Sequence, residues 1–289
     1  MNYKDRCGNV ITGNEKQDRV LNGLYSKTWG RMLVKLLVTR SFSRVSGAVL
    51  NSRASRVAIK PFVNKNGICL DDYIEQKYRS YNDFFTRRIK PERREIAMDD
   101  NILISPCDGK ISVHTIHEDT LFYIKNSHYS VASLLQNEKL ALRYNGGYCA
   151  VIRLTVDNYH RYCYVDSGWK TENVKIPGKL HTVNPLALDY VDVYKENARE
   201  YCIINTRNFG AVVQMEVGAM VVGKIRNHQA SENVIRGQEK GYFEFGGSTV
   251  VLLIKKDRVR FDADIMKNSM EHYETIVKMG EGIGEKIQR

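Results

Sequence analysis

The sequence predicts an α+β chain, with an N-terminal helical portion followed by a β-rich, largely antiparallel body. Three observations carry this. Apolar residues between Leu21 and Lys60 recur at helical spacing, with basic residues between them. From Ile102 onward the pattern changes to short β-type runs separated by turns. Near the end stands the continuous apolar run Val250-Val251-Leu252-Leu253-Ile254, directly after Gly246-Gly247-Ser248-Thr249. A β-branched run of that length reads as a buried strand.

In chain order, Met1–Arg19 reads as a polar leader. In Leu21–Lys60, Trp29, Met32, Leu33, Leu36 and Leu37 fit one helix face, against Lys27, Arg31, Lys35 and Arg40. A weaker helical stretch follows over Val45–Val57, with Arg44, Arg53 and Arg56. A basic amphipathic helix with a tryptophan suits a membrane interface, and it equally suits packing on a domain with a solvated basic face. Leu70–Arg88 reads as a further helix, capped by Asp71 or Asp72 and ending before Lys90-Pro91. Seven β-runs come next: Ile102–Ile104, Lys110–Ile116, Leu121–Ile124, Tyr148–Thr155, Tyr201–Asn205, Ala211–Val217 and Val250–Ile254. Asp264–Val277 reads as a last helix and Met279–Lys286 as a glycine-rich close.

Composition narrows the classes of function. With 44 Lys and Arg against 33 Asp and Glu, the 289-residue chain carries +11, which favours a polyanionic partner. No aromatic-plus-glycine RNA motif, zinc-finger spacing or helix-turn-helix pattern stands out, so nucleic acid is not expected. Cys7, Cys69, Cys107, Cys149, Cys163 and Cys202 are scattered without a C-x-x-C pair. That argues against a zinc site and a disulfide scaffold, and for a reducing compartment. No secretory signal opens the chain and no apolar run reaches membrane-spanning length, so membrane contact is expected to be peripheral.

Several short patterns carry chemistry-bearing residues. Ser105-Pro106-Cys107-Asp108-Gly109-Lys110 is a turn signal leading into a strand, and it places a carboxylate where one could orient a histidine. Asn158-Tyr159-His160-Arg161-Tyr162 follows a strand, and a histidine there is placed for proton transfer. A second histidine, His181, lies in the loop Gly178–Pro185. Val217-Gly218-Ala219-Met220-Val221-Val222-Gly223 permits close backbone approach but lacks G-x-G-x-x-G, so no dinucleotide site follows. At Gly246-Gly247-Ser248 the backbone bends readily, and a hydroxyl one residue after a carbonyl is placed to attack it in an N→O acyl shift. An ordinary turn into a strand reads the same way locally.

Taken together in order, these patterns resemble the phosphatidylserine decarboxylase proenzymes. The resemblance runs from Phe84 to Gly284. It includes Phe84-Phe85-Thr86-Arg87-Arg88-Ile89-Lys90-Pro91, Ser105–Gly109, Tyr159-His160-Arg161, His181–Pro185, Val217-Gly218-Ala219, Lys240–Phe245, Gly247-Ser248-Thr249 and Met279–Gly284. It implies a carboxy-lyase that converts phosphatidylserine to phosphatidylethanolamine and CO₂. The chain would cut itself between Gly247 and Ser248 into a β chain, 1–247, and an α chain, 248–289, which stay associated. Ser248 would become a pyruvoyl group, whose carbonyl condenses with the substrate amine and accepts the electrons released with CO₂. Neither pyridoxal phosphate nor a metal is then needed.

Asp108, His160 and Ser248 are the implied catalytic residues, with His160 also an acid candidate in decarboxylation. One departure matters. Many members carry a second histidine three residues after the first, where this chain has Cys163. Its role as base cannot be carried over, which leaves His160, favoured here, or His181, or Asp108 acting directly. Cys163 itself fits a small core residue.

The expected division is 1–90 as a basic, membrane-associating helical portion and 91–289 as the catalytic domain. The partner is an anionic phospholipid membrane, and the location peripheral, on the cytoplasmic side of the cell membrane. Arg87, Arg88, Lys90, Arg93 and Arg94 are expected on a solvated face. The alternative function is a pyruvoyl-dependent decarboxylase of a soluble amino acid. A basic binding protein with no activity is a third reading.

Overall fold

The computed structural model describes residues 2–13, 23–27, 30, 32, 34, 39–124, 127–182, 193–219, 224–228, 230, 232–245 and 248–288. Its central strand is Ser248–Ile254, the middle of an eleven-stranded sheet. It pairs antiparallel with Gly210–Val217 on one side and Tyr148–Leu154 on the other. All seven of its residues are buried because the sheet is covered on both faces, so an uninterrupted apolar run is what the position requires.

Side chains alternate across a strand, and here they feed two separate cores. Val251 and Leu253 join a first core with Val151, Val213 and Tyr194, closed by the helix Val131–Leu135. Val250, Leu252 and Ile254 join a second core with Leu154, Cys163 and Phe243. Two three-stranded sheets close that second side. One is built from Ile225–Asn227, Glu239–Phe243 and Arg161–Cys163, the other from Val259–Phe261, Gly282–Lys286 and Ile102–Ile104. Each fully buried aliphatic side chain of Val250–Ile254 contributes about 1.5–3 kcal/mol, which anchors the strand firmly.

The architecture is α+β, as the sequence predicts, and all seven expected runs are strands. Their ends move by a residue or two, to Gly109–Thr115, Tyr148–Leu154, Arg199–Thr206, Gly210–Val217 and Ser248–Ile254. Four local expectations change. The leader is no loose tail: Asn2–Lys4 pairs in parallel with Glu274–Val277 and antiparallel with Val10–Thr12. Leu70–Arg88 is not one helix. It holds a 3₁₀ turn, Leu70–Asp72, and a short helix, Tyr81–Phe85, capped by Ser80 rather than Asp71 or Asp72. Backbone pairing across the segment, with Ile74 N–H on the Arg88 carbonyl at 2.8 Å, holds the stretch before that helix extended.

The last expected helix stops early, spanning Ala263–Met270. His272 adopts the left-handed conformation, φ 62°, which ends the helix, and the β-branched Thr275-Ile276-Val277 then supplies the strand Glu274–Val277. The glycine-rich close is likewise the strand Gly282–Lys286.

In the N-terminal portion, helices span Arg40–Asn51 and Ile59–Asn66, joined by a 3₁₀ segment, Arg53–Ala58. Tyr25 and Val34 reach the first core, whereas Met32 is exposed. Trp29, Arg31, Leu33, Lys35, Leu36 and Leu37, on which the amphipathic-face reading mostly rests, lie outside the described residues.

Candidate active site

Three of the singled-out segments meet at one end of the central sheet. Ser248 opens its strand and pairs with Leu154, while the next residue, Thr249, pairs with Val217 just before Gly218. Gly109 starts the strand on the far side of Tyr148–Leu154, so Asp108 enters the same end. Gly109 is required there by close approach rather than by a turn: a Cβ would lie 2.8 Å from the Arg153 carbonyl oxygen.

Ser248 is fully buried, and its Oγ has no hydrogen-bond partner among the described residues. A buried hydroxyl without a partner forfeits about 1–3 kcal/mol, so this end of the sheet keeps a reactive-type group at some cost to stability. Gly246 and Gly247 lie outside the described residues. The side of the sheet that Ser248 faces follows from its register. Directly paired residues point to the same face, and Leu154 belongs to the second core. Ser248 therefore points toward the side that holds Cys163 and Phe243.

His160 is on that side. Its carbonyl accepts from the Phe243 amide at 3.0 Å, and its ring lies against Phe85, centroids 4.2 Å apart. Nδ1 is 2.9 Å from the Asn158 carbonyl oxygen. A carbonyl only accepts, so Nδ1 carries the proton and Nε2 is the bare nitrogen. That Nε2 is buried and has no hydrogen-bond partner among the described residues. Burial pushes the His160 pKa down to about 3; the Asn158 carbonyl opposes this and the Arg87 charge adds to it. The imidazole is thus a neutral, desolvated base across the physiological range.

His181 belongs to the other face. Its Nδ1 is 3.5 Å from the Tyr25 hydroxyl, and Tyr25 is part of the first core. Asn197 donates to both the His181 and Gly218 carbonyls at 2.8 Å, which ties this loop to the sheet end through the backbone. His181 Nε2 stands 3.7 Å from Glu196 Oε2, and burial leads the lowering of its pKa. Residues 183–185 of the loop lie outside the described residues.

Asp108 does not orient either histidine. Its carboxylate accepts from Arg94 Nε at 2.7 Å and Nη2 at 2.5 Å, and from the Met279 amide at 2.9 Å. It sits beside Cys163, whose amide donates to the Pro106 carbonyl at 2.8 Å. Burial pushes the Cys163 thiol up to about 12, with Asp108 adding to it, so the thiol stays protonated and packs in the second core. The triad arrangement of carboxylate, histidine and serine is absent among the described residues, because Arg94 and the Met279 amide already satisfy the carboxylate.

The expected solvated basic cluster divides. Arg88 and Arg93 are exposed, Arg94 serves Asp108, and Arg87 is buried between aromatic rings, 4.2 Å from the Tyr73 centroid and 4.7 Å from that of Phe84. Cation–π contact with both rings, and a hydrogen bond from Nη2 to the Tyr73 hydroxyl at 3.1 Å, offset that burial. Beneath the site runs a polar network that sequence reasoning missed. Lys240 and Glu216, both fully buried, pair at 2.5 Å, and Lys240 also donates to Asn227 Oδ1 at 2.9 Å. Burial pushes the Glu216 carboxyl up, and Lys240 and Asn227 pull it back. Lys240 lies in the Lys240–Phe245 stretch, but nothing in its spelling marks a buried cation.

Removing one member of such a pair strands a buried charge. Lys240→Met is expected to lose about 3–5 kcal/mol, while Lys240→Met with Glu216→Leu recovers most of it. Urea unfolding of both variants in an uncut Ser248→Ala background measures this without the complication of two chains.

A groove of about 670 Å³ lies between the helix Arg40–Asn51 and the segments carrying Lys175, Leu180, Lys224, Arg226 and Glu244. Among the described residues, no three His, Cys, Asp or Glu side chains are grouped to hold a metal ion.

Comparison with known proteins agrees with this picture. The family profile described as phosphatidylserine decarboxylase matches residues 81–285. The chain is 47% identical over 266 residues to phosphatidylserine decarboxylase proenzyme 2 of Clostridium acetobutylicum, covering 92% of this chain and 91% of that one. It is 39% identical over 275 residues to the phosphatidylserine decarboxylase proenzyme of Clostridium botulinum, covering 93% of each. To that of Ruminiclostridium cellulolyticum it is 40% identical over 277 residues, 94% of this chain and 92% of the relative. The chain belongs to the phosphatidylserine decarboxylase family and is a decarboxylase, a carboxy-lyase.

Proposed function

We propose that this chain is a self-processing phosphatidylserine decarboxylase that makes phosphatidylethanolamine and CO₂ with a pyruvoyl group derived from its own Ser248. The observation that carries the reading is a pair of buried atoms without hydrogen-bond partners among the described residues, Ser248 Oγ and His160 Nε2, on one side of the sheet. A hydroxyl with no competing bond and a bare imidazole nitrogen are what an N→O acyl shift requires.

In the cut, His160 Nε2 takes the Ser248 hydroxyl proton as Oγ attacks the Gly247 carbonyl carbon. The Gly247–Ser248 amide bond breaks, an ester forms, and the freed nitrogen gains a proton. Loss of the Ser248 Cα proton then expels Gly247 as a carboxylate and leaves a dehydroalanine, which water converts to the pyruvoyl group with release of ammonia. That group supplies an electron sink for the carbanion left when CO₂ departs. Ser248 holds it by the backbone, within a strand paired on both sides. The α chain stays bound after the cut, because the buried strand Ser248–Ile254 remains inserted in the middle of the sheet.

His160 Nε2 is also the group placed to return a proton to the substrate carbon. Asp108 keeps its segment in place through Arg94 and Met279 rather than by moving protons. In the groove Arg226 pairs with Glu244 at 2.7 Å and Lys175 stands 3.8 Å from Glu200, and Lys224 is the cation there that suits the phosphate of a head group. On the N-terminal helical portion, Val45, Val49 and Val57 are exposed amid arginines, and with a net charge of +11 this suits peripheral contact with the anionic cytoplasmic face of a membrane.

Vesicles test the substrate. Purified protein is expected to pellet with phosphatidylserine vesicles, to release CO₂ from them, and to lose much of the binding at high salt. Absence of binding together with CO₂ release from a free amino acid would replace the lipid reading with the soluble one.

A further inference from the structure

We infer that Asn82 is a positioning residue for self-cleavage, holding the backbone just ahead of the scissile bond. The inference rests on the self-processing reading above. Asn82 lies in the short helix Tyr81–Phe85 and is buried. Its Oδ1 accepts from the Phe245 amide at 3.0 Å, two residues before Gly247. Its Nδ2 donates to Asn51 Oδ1 at 3.0 Å, and Asn51 Nδ2 donates to the Gly47 carbonyl at 2.8 Å.

The direction of this chain of bonds is forced from both ends. A backbone amide only donates, so Phe245 must meet the oxygen of Asn82. A carbonyl only accepts, so Gly47 must meet the nitrogen of Asn51. The helix Arg40–Asn51 thereby fixes which way the Asn82 amide faces. The Phe245 side chain is held in parallel, its ring 5.1 Å from Tyr81 and 4.9 Å from Phe85, both edge-on. Phe85 in turn touches the His160 ring, so one short helix carries both the grip on Phe245 and the wall behind His160.

The need for a grip follows from the sequence. Gly246 and Gly247 bring no side chain to restrain them and carry more backbone freedom than any other pair. Ser248 is fixed on the downstream side by its strand. Fixing Phe245 upstream as well narrows the orientations open to a carbonyl between the two fixed points, which raises the chance of a reactive alignment. Two fixed ends with two glycines between them restrict the search while leaving the bend possible.

The experiment follows loss of the precursor band over time after rapid purification or cell-free synthesis. Asn82→Ala is expected to cut at least tenfold more slowly than the parent. Asn82→Asp, which still offers an acceptor to the Phe245 amide but sets a carboxylate oxygen against Asn51 Oδ1, is expected to cut faster than Asn82→Ala and more slowly than the parent. Asn66→Ala removes a comparable side-chain bond, from Asn66 Nδ2 to the Phe62 carbonyl at 2.8 Å, and is expected to cut normally. Once cut, Asn82→Ala molecules are expected to decarboxylate at the parent rate per cut molecule. Parent-like cutting by Asn82→Ala, or Asn82→Asp no faster than Asn82→Ala, would overturn the inference. A parent chain that never cuts would instead sink the self-processing reading itself.

Discussion

Ser248→Ala is expected to leave the polypeptide whole, a single 33.2 kDa species by intact mass, with no decarboxylase activity at any enzyme concentration. Both losses come from one atom. Without Oγ no ester can form at the Gly247 carbonyl, and without the ester there is no leaving group to make dehydroalanine. The fold should survive, because the hydroxyl being removed has no partner among the described residues. Deleting it relieves a desolvated group and leaves a cavity of one atom, so the variant should melt at or slightly above the temperature of the uncut parent. In the parent, the α chain should begin at residue 248, resist sequencing from its N-terminus, and react with phenylhydrazine. A parent chain that remains uncut with a free serine hydroxyl would refute the mechanism.

The second large effect is expected at His160. Removing a general base costs about 10²–10⁴-fold, so His160→Ala should cut at least a hundredfold more slowly, whereas His181→Ala should cut near the parent rate. The prediction rests on the two faces of the sheet. Ser248 shares its face with Leu154 and the second core, and His160 lies there, while His181 packs with Tyr25 of the first core. The opposite result, with cutting lost only in His181→Ala, would place the base on the other face.

His160 also predicts an unusual pH profile. Its pKa in the folded chain is pushed down to about 3, against about 6.5 for an exposed histidine. The cutting rate should therefore show no inflection near pH 6.5. Stability should respond instead. Between these two values the unfolded chain binds a proton that the folded chain does not, so folding weakens as pH falls below about 6.5. Between pH 7.5 and pH 5 this one group costs about 2 kcal/mol, a loss that His160→Gln should abolish in urea titrations of the uncut Ser248→Ala protein.

Much of this was legible in the residues. The run Val250–Ile254 reads as a buried strand because burial on both faces removes the need for alternation, and it is the centre of the sheet. The other six runs read as strands for the same reason of dense β-branched and aromatic content. Shorter strands such as Asn2–Lys4, Gly168–Lys170 and Glu232–Val234 were not legible, since three residues carry no period and owe their state to a neighbour's edge. Leu70–Arg88 misled because its apolar spacing suits a helix, yet the backbone bonds from Ile74 to Arg88 and from Lys90 to Asp72 hold the stretch after Asp72 extended.

The candidate site divides in the same way. Order and spelling along the chain point to Asp108, His160 and Ser248 as a set, and to the family. Those features are local and survive in a one-dimensional string. What only tertiary structure decided is who faces whom. Register at Ser248–Leu154 turns the serine to the side of the second core, where the Phe243 amide meets the His160 carbonyl; Arg94 and the Met279 amide hold the Asp108 carboxylate; Asn82 reaches from residue 82 to Phe245. A strand turns its side chains over with every residue, and an ion pair can join positions far apart in the chain. The facing of a side chain is therefore set by pairing and packing, which no stretch of sequence records by itself.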